Sequence, residues 1–368
     1  MSKQAINVES LKRANETYQP VIQALPFVAL QEMAQALNMN ILFVDKEDVL
    51  VNRRRAAGVM RPYFPGCTDD QKQELLKFVE MRLRTEKVFS DIRDNVTNYE
   101  DKKILSNAGA LVDNKSKKHP IEFEMIKANV QSFGEDVCMA VWFGERDTTG
   151  KTPLAGFNGI FTVLDLLKTA KHISAEEGNL KTTGAITMPA DGTSTAAYDT
   201  LVTFILSANP FLRKGRVQLT CAQNVITAAK AAYKNKTKAF LDPTYDQFLA
   251  ALRDASETPG LEICTHEAIG TGSKLILHKV GLLDIGREPG KGHEFCQIRN
   301  IGNDPNEVQF WIQDGFGTRV RDVHKKVFLT NEQTNTAPEL YGDYTPTPEV
   351  SEVSENEASG SSETDATA

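Results

Sequence analysis

The stretch Asn306–Phe328, "NEVQFWIQDGFGTRVRDVHKKVF", has the clearest structural pattern in the chain. Apolar and polar side chains alternate on both sides of Asp-Gly-Phe-Gly, which is typical of half-buried strands. Glycine and aspartate favour turns, so the pattern predicts strands over 307–314 and 317–323 joined by a turn at Asp314–Gly317. Neither strand carries a reactive group, and this indicates that the stretch builds a surface rather than a catalytic site.

The composition is that of a soluble globular protein. The chain has 368 residues, of which 40% are hydrophobic and 25% are charged, and this length predicts more than one domain. No run approaches the roughly 18 apolar residues of a membrane helix, and the polar start of the chain is unlike a signal peptide. Five cysteines without CxxC spacing suit a reducing compartment. We therefore expect a protein made in a cytosol, with no membrane partner.

The formal charge of −7 comes mostly from the end of the chain. Residues 345–368 contain six acidic residues and no lysine or arginine, and the rest of the chain is nearly neutral at −1. A segment this polar buries too little surface to offset its chain entropy, so we expect an acidic, disordered tail. Residues 50–118 have 15 basic and 10 acidic side chains. Without a recognisable binding motif, this excess does not predict a specific nucleic-acid reader.

Helical periodicity and turn residues predict an α+β chain. In the first third we expect two helices within 8–38, broken at Pro20 and Pro26, a strand over 41–51, and a helix over 69–86 with a capping box at Thr68 and Gln71. A turn-rich β-ribbon is expected next. The pattern then predicts a long helix from Pro120 to Phe143, further helices over 159–172, 196–208, 221–233 and 243–255, and strands over 216–220, 261–265 and 273–279.

The segment "GERDTTGKT" (144–152) resembles a phosphate-binding P-loop. The first glycine of that motif should stand at position 145, which is Glu145, and Pro153 and Gly156 follow where a helix should begin. Without a preceding strand and a following helix, the phosphate-binding geometry is missing. The sequence therefore favours a surface loop, and a nucleotide-dependent enzyme using Gly150-Lys151-Thr152 is kept as an alternative.

Other candidate sites are also better explained as structure. Gly270 and Gly272 precede a strand, so a turn with positive φ is favoured over a dinucleotide loop. Cys264 and His266 fall on one face of a strand, where a buried cysteine beside a histidine is far commoner than a reactive thiolate. Residues 302–307 read as a turn rather than a calcium loop. We predict no catalytic residue, cofactor or metal.

Four stretches together resemble the major capsid proteins of tailed bacteriophages, which have the Hong Kong ninety-seven-like shell fold, in versions from phages of gut anaerobes. They are "DIRDNVTNYEDKKIL" (91–105), "KKHPIEFEMI" (117–126), "FGERDTTGKTPLAGFNGIFTVLD" (143–165) and "DPNEVQFWIQDGFGTRVRDVHKKVFLTNEQTN" (304–335). The resemblance implies an N-terminal arm (1–48), an extended β-hairpin loop region (49–112), a peripheral domain with a long spine helix (113–154), an axial domain (155–290), a return to the peripheral sheet (291–344) and the tail (345–368).

The resemblance also implies a function. We expect a major capsid protein of the virion, assembled in a bacterial host's cytoplasm into hexamers and pentamers of an icosahedral shell. Its partners would be further copies of itself, portal and scaffolding proteins, and packaged double-stranded DNA through weak, non-specific contacts. A cell-encoded nanocompartment shell or a minor head protein is the alternative with the same fold. The residues expected to contact neighbouring subunits are Arg53, Arg54, Arg55, Arg61, Tyr63 and Trp311.

In the opening stretch, Val308, Phe310 and Ile312 should form one face of a strand and pack on the spine helix. Trp311 falls on the polar face. We expect either the spine helix or a neighbouring subunit to cover it.

Overall fold

The computed structural model describes residues 8–55, 76–95, 104–105, 111–112, 121–238, 240–288, 295–300 and 307–338. Its helices are α1 (Val8–Ala36), α2 (Ile121–Phe143), α3 (Ile160–Thr169), α4 (Ala196–Leu206), α5 (Pro210–Arg213), α6 (Gln223–Thr237) and α7 (Tyr245–Ala255). Its first strands are β1 (Asn40–Phe43), β2 (Glu47–Arg55), β3 (Leu76–Arg84), β4 (Glu86–Asn95), β5 (Ile104–Leu105), β6 (Leu111–Val112), β7 (Leu180–Lys181) and β8 (Val217–Cys221). The others are β9 (Leu261–Cys264), β10 (Thr271–Gly272), β11 (Leu275–Lys279), β12 (Leu283–Glu288), β13 (Cys296–Asn300), β14 (Glu307–Val320), β15 (Phe328–Asn331) and β16 (Asn335–Thr336).

Strand β14 is the centre of the first sheet, which has the order β1-β12-β14-β13 with β4 also paired to β14. The predicted turn at Asp314–Gly317 is wrong, because all 14 residues of β14 form one strand. Strand β4 pairs with residues 307–316, while β13 pairs with 308–312 and β12 with 315–320. Since partners lie on both edges, every part of the strand has a backbone ladder, and this stabilises the extended form over a local turn.

Gly317 of the Asp-Gly-Phe-Gly stretch and Gly286 of β12 allow close packing. Gly317 lies opposite Gly286 of β12, so the sheet has a bare patch there. A Cβ atom on Gly317 would stand 2.0 Å from the carbonyl oxygen of Arg84, and one on Gly286 would stand 3.1 Å from the Leu83 side chain. The glycines therefore let the end of β3 cross directly over the face of the sheet.

Helix α1 is continuous, so the prediction of two helices broken at Pro20 and Pro26 is wrong. Each proline removes one backbone hydrogen bond, which alone would favour a break. Packing overrides this local preference: Leu11, Ile22 and Leu30 are all fully buried in the first core. At Pro26 the helix lies so close to α2 that a Cβ on Gly134 would stand 2.9 Å from the proline Cα.

The long helix predicted over Pro120–Phe143 is confirmed as α2, at Ile121–Phe143. Its apolar side packs on one face of the first sheet, where Val308, Phe310 and Ile312 are buried as expected. Phe133 of α2 also meets Phe316 of β14, with 6.4 Å between ring centroids. The first core thus joins α1, α2 and the first sheet.

A second core lies around the second sheet, whose order is β7-β15-β11-β8-β9. Helices α4, α6 and α7 cover one face of it with buried residues that include Phe204, Ile226 and Phe248. Elements within the predicted axial domain (155–290) contribute to this second core. However, β12 lies within that range and joins the first sheet, while β15 lies beyond residue 320 and pairs with β11 of the second sheet. The chain therefore alternates between the two sheets, and the domain limits given above remain predictions.

The helix predicted over 69–86 is wrong across its described part. Residues Leu76–Arg84 form strand β3, which pairs antiparallel with β2 from Glu47–Arg84 to Arg55–Leu76. The sequence "VEMRLR" from Val79 alternates apolar and basic or acidic side chains, and this period of two outweighs the weaker helical stripe. We call these two strands the ribbon. The predicted single strand over 41–51 is in fact β1 in the first sheet followed by β2 in the ribbon.

Candidate assembly surface

The root of the ribbon is continuous with the first sheet on both sides. Strand β1 leads into β2, and β3 leads into β4 with Thr85 between them. The backbone N–H of Thr85 donates to the carbonyl of Lys46 over 2.8 Å, and this bond joins the β3–β4 junction to the β1–β2 junction. Because both strands of the ribbon are anchored, its direction is set by the sheet.

Polar side chains fix the inner face of the ribbon to the end of β14. Arg319 donates from Nη1 to the Asp48 carboxylate at 2.8 Å and from Nη2 to Asp284 at 2.8 Å. Asp284 is fully buried and also accepts from Arg321 at 2.7 Å and from Asn40 at 3.0 Å. Two positive charges thus surround one buried carboxylate, and this arrangement compensates for its desolvation.

Further along the inner face, two more residues of β2 bind the segment after β14. Asn52 donates to the backbone carbonyl of Arg321, and Arg54 forms an ion pair with Asp322 at 3.2 Å. Arg54 is therefore engaged within its own subunit, and its side chain is 16% exposed. This ion pair holds Arg54 against its own chain, and its contact with a neighbouring subunit stays a prediction.

The outer face of the ribbon presents apolar side chains to solvent. Val49 is 44% exposed, Val51 is 51% exposed and Phe78 is 61% exposed. They alternate across the two strands with Arg53, Glu80 and Arg82, because Val49 pairs with Arg82, Val51 with Glu80 and Arg53 with Phe78. Exposed valine and phenylalanine on an anchored ribbon are typical of a surface that another protein covers.

The six predicted contact residues are divided among different places. Arg53 lies on the outer face and Arg54 on the inner face of β2, while the side chain of Arg55 and the whole of Arg61 and Tyr63 lie outside the described residues. Sequence reasoning missed Val49, Val51 and Phe78. The alternation from Phe78 to Arg84 could have revealed the strand and its exposed face, had the helical stripe not been preferred.

Trp311 is partly covered by its own chain, through Phe89 of β4 rather than through the spine helix. Its ring stacks on Phe89 of β4 at 4.9 Å between centroids and 11° between planes. The guanidinium of Arg299 lies 5.8 Å from the centroid of the same ring. Phe89 itself is an exposed hydrophobic side chain. The resulting aromatic and arginine cluster on the outer side of the first sheet has the composition of an interface hot spot, and Trp311 remains a predicted contact.

The loop that resembles a P-loop does not present a phosphate cradle. The Asp147 carboxylate accepts from the Thr149 backbone N–H at 2.9 Å and from its hydroxyl at 2.8 Å. These bonds from Thr149 lower the pKa of Asp147 below its ordinary value. The N–H of Gly150 donates to the Asp147 carbonyl at 3.2 Å. A phosphate would therefore meet a carboxylate and backbone groups already bonded, beside the exposed Lys151.

The Cys264–His266 pair has the properties of structural residues. Burial raises the pKa of the Cys264 thiol, while burial lowers the pKa of His266. His266 accepts at Nδ1 from the backbone N–H of Ala268 over 3.1 Å and so caps a short helical turn. The positive φ angles predicted for the following turn are confirmed, at +71° for Gly270 and +152° for Gly272.

No cluster of potential metal ligands occurs among the residues that the structure describes. In the same part of the chain, no helix is both long and apolar enough to cross a membrane.

Comparison with known proteins gives matches in structure. No protein-family model and no curated protein matches the sequence. The capsid of Myoviridae phage XM1 aligns with a TM-score of 0.52 and 8% identity, over 83% of this chain and 92% of that one. The protein described here therefore has a phage-capsid fold. The shell fold is thus confirmed as the Hong Kong ninety-seven-like architecture expected from the sequence.

Two further capsid structures are similar at lower scores. The capsid of an empty GTA particle has a TM-score of 0.49 and 10% identity, covering 81% of this chain and 95% of that one. The procapsid of satellite phage P4 has a TM-score of 0.48 and 11% identity, covering 85% and 92%.

Proposed function

We propose that this chain is a major capsid protein that assembles into hexamers and pentamers of an icosahedral shell around double-stranded DNA. The shell fold supports this proposal, but a fold alone does not fix a function. The observation that carries it is the ribbon, whose inner face is held by ion pairs while its outer face exposes Val49, Val51 and Phe78. A rigid arm with an apolar face suits repeated contact with an adjacent copy.

The weakness of each single contact explains why a subunit with such a surface remains soluble before assembly. Apolar burial contributes about 25 cal/mol per Å², so one ribbon contact gives a weak interaction after the cost of association. Charged Arg53, Glu80 and Arg82 lie between the apolar residues and keep a single subunit soluble. In a closed shell each subunit makes several such contacts at once, and multivalency makes the assembly stable.

The further partners follow from the same proposal. Portal and scaffolding proteins would act at the vertex and during assembly, in the cytoplasm of a bacterial host. The nearly neutral body favours weak, non-specific contact with packaged DNA, because phosphate affinity depends on the number of basic contacts. A nanocompartment shell would have the same fold with protein cargo. Nuclease-protected double-stranded DNA in purified particles distinguishes the two functions.

A direct test replaces the exposed aromatic residue of the ribbon. Phe78→Asp should leave the isolated subunit folded, because the side chain is 61% exposed, and should abolish particles that the wild type forms. Negative-stain microscopy and sedimentation measure assembly, and circular dichroism checks the fold. Met188→Asp, at another exposed hydrophobic residue, is the matched control and should assemble normally. Wild-type protein that stays monomeric at every concentration, or Phe78→Asp particles equal in yield to wild type, would contradict the proposal.

We also propose that the chain has no catalytic activity. The nucleotide-dependent alternative requires Lys151 to bind a phosphate. However, the backbone N–H groups of Thr149 and Gly150 in the same loop already donate to Asp147. Calorimetric titration with ATP and Mg²⁺ should show no binding to wild type or to Lys151→Ala. Binding that is lost in the variant would favour the enzyme.

A further inference from the structure

Helix α1 exposes an apolar stripe on the side opposite the first core. Val21 is 48% exposed and Val28 is 45% exposed, and Thr17 and Ala24 are also exposed. These four residues are spaced by four, three and four positions, so they lie in one line along the helix. This is the spacing of a helix-packing seam, in which side chains of a second helix would insert. We call these four residues the α1 stripe.

The two ends of the α1 stripe carry opposite charges. Lys12, Arg13 and Glu16 are exposed before it, with a net charge of +1, and Glu32 is exposed after it. Among the described residues, neither Arg13 nor Glu32 has an ion-pair partner within the subunit. A partner whose charges run in the reverse order would complement this face.

We propose that the partner is α1 of a second copy, packed antiparallel on the α1 stripe about a twofold axis. The midpoint of the stripe lies between Ile22 and residue 23. An antiparallel helix centred there sets Val21 against Ala24 and Thr17 against Val28. The same register places Arg13 at the height of the second copy's Glu32, twice per contact. A parallel arrangement would instead place Arg13 beside Arg13 and Glu32 beside Glu32, and the helix dipoles also favour the antiparallel one.

The inference rests on the proposed function and deepens it. A ring of subunits needs a heterologous contact, in which different surfaces of adjacent copies meet, whereas an antiparallel helix pair is isologous. The outer face of the ribbon suits the first kind of contact and the α1 stripe suits the second. The α1 pair would therefore join subunits of neighbouring rings across local twofold axes.

Cysteine cross-linking tests the register. In a Cys67→Ser background, Thr17→Cys combined with Val28→Cys should give a disulfide-linked dimer upon mild oxidation, because the two positions face each other. Each single variant should remain unlinked, since its own copies would lie 11 residues apart along the axis, or about 16 Å at 1.5 Å per residue. A disulfide needs Cα atoms within about 7 Å. Efficient linkage by either single variant would show a parallel contact and overturn the proposal.

Charge reversal tests the electrostatic match. Arg13→Glu and Glu32→Arg should each weaken the contact about fivefold at low salt, because each creates two like-charge pairs. The double variant Arg13→Glu/Glu32→Arg exchanges the charges and should restore the wild-type association constant. Lys171→Glu and Glu176→Arg reverse exposed charges elsewhere and serve as matched controls that should have no effect. Association is measured by sedimentation of subunits below the concentration at which particles form.

Failure of this inference can be distinguished from failure of the proposed function. If particles form normally with every α1 variant and no cross-link appears, the antiparallel contact is wrong while the shell stands. If wild type forms no particles but the double-cysteine variant cross-links, α1 pairing holds in a protein that is not a shell subunit. A double charge reversal that is as weak as the single variants would overturn the register.

Discussion

Two buried polar clusters, one in each sheet, stabilise the subunit in different ways. Under the ribbon root, Asp284 is fully buried between Arg319 and Arg321, so the first cluster is ionic. On the inner side of the second sheet, Thr220 and His278 are also buried but carry no charge-paired partner among the described residues. The first cluster depends on complete charge pairing, whereas the second depends on remaining neutral.

The neutral cluster forms a chain of hydrogen bonds from the second sheet to the end of α1. The N–H at Nδ1 of His278 donates to the Lys279 carbonyl over 2.8 Å, so Nε2 accepts from the Thr220 hydroxyl over 3.0 Å. Thr220 accepts in turn from the Gln218 amide at 3.2 Å, and the same amide donates to the Leu37 carbonyl. Burial lowers the pKa of His278 to about 4. A proton on Nε2 would remove its acceptor and break the chain.

Removing the central charge of the ionic cluster should have the largest effect. Asp284→Ala leaves two arginines without their shared carboxylate and should lower the free energy of unfolding by about 3–5 kcal/mol. Urea denaturation of unassembled subunits measures it. Asp199→Ala breaks an exposed ion pair with Lys236 and, as the matched control, should cost at most about 1 kcal/mol. Equal losses in both variants would remove the distinction between buried and exposed pairs.

Acid should act on the neutral cluster. Because folding lowers the pKa of His278 from 6.5 to about 4, its contribution is complete above pH 6.5 and is lost as pH falls toward 4. The shift corresponds to about 3 kcal/mol in the free energy of unfolding.

The control for the acid effect is His278→Gln, which cannot titrate. His266 and His324 also have pKa values lowered by burial, and they remain in both proteins. The difference between the two pH profiles, measured by urea denaturation between pH 4 and 7, therefore isolates His278. Parallel profiles would show that the neutral state of His278 does not stabilise the neutral cluster.

A steric change where the end of β3 crosses the first sheet should have a somewhat smaller effect on stability. Gly317→Ala adds a methyl group where the Arg84 carbonyl oxygen lies 2.0 Å away, so the ribbon root must shift. Overpacking of this kind should reduce stability by about 1–3 kcal/mol. Thermal unfolding measures the change. Gly192→Ala, with no neighbouring atom within 4 Å, is the control and should be neutral; a neutral Gly317→Ala would mean that the crossing is looser than described.

The smallest expected effect on stability distinguishes the inner face of the ribbon from its outer face. Arg54→Ala removes the ion pair with Asp322 on the inner face and should reduce subunit stability by about 1 kcal/mol. Arg53→Ala, one residue away on the outer face, should leave the subunit unchanged and weaken assembly instead. Chemical denaturation and particle yield are compared for the two variants. The reverse result would exchange the roles given to the two faces.

The sequence alone was sufficient to predict a helix or strand whose own residues show a strong apolar periodicity. The apolar spacing of Ile126, Val130, Phe133 and Val137 predicted α2, and the alternation of Val308, Phe310 and Ile312 predicted the strand that packs on it. The shell fold followed from a resemblance carried by four stretches. The inward face of β14 could thus be known before the structure.

Other predictions were wrong because distant partners decided the outcome. The glycines at 315 and 317 favour a turn locally, yet strands from residues 86–95 and 283–288 hold them extended. Pro20 and Pro26 favour a helix break, yet packing on α2 keeps α1 continuous.

The sequence by itself determined the α+β class, the apolar faces of α2 and β14, and the polar end of the chain, because periodicity and composition act over a few neighbouring residues. The tertiary structure alone decided that β14 runs straight, that β15 joins the second sheet, and that Arg319 and Asp284 meet beneath the ribbon. Those outcomes depend on backbone partners and charges that are far apart in the chain, and their free energies exceed the local preferences that they override.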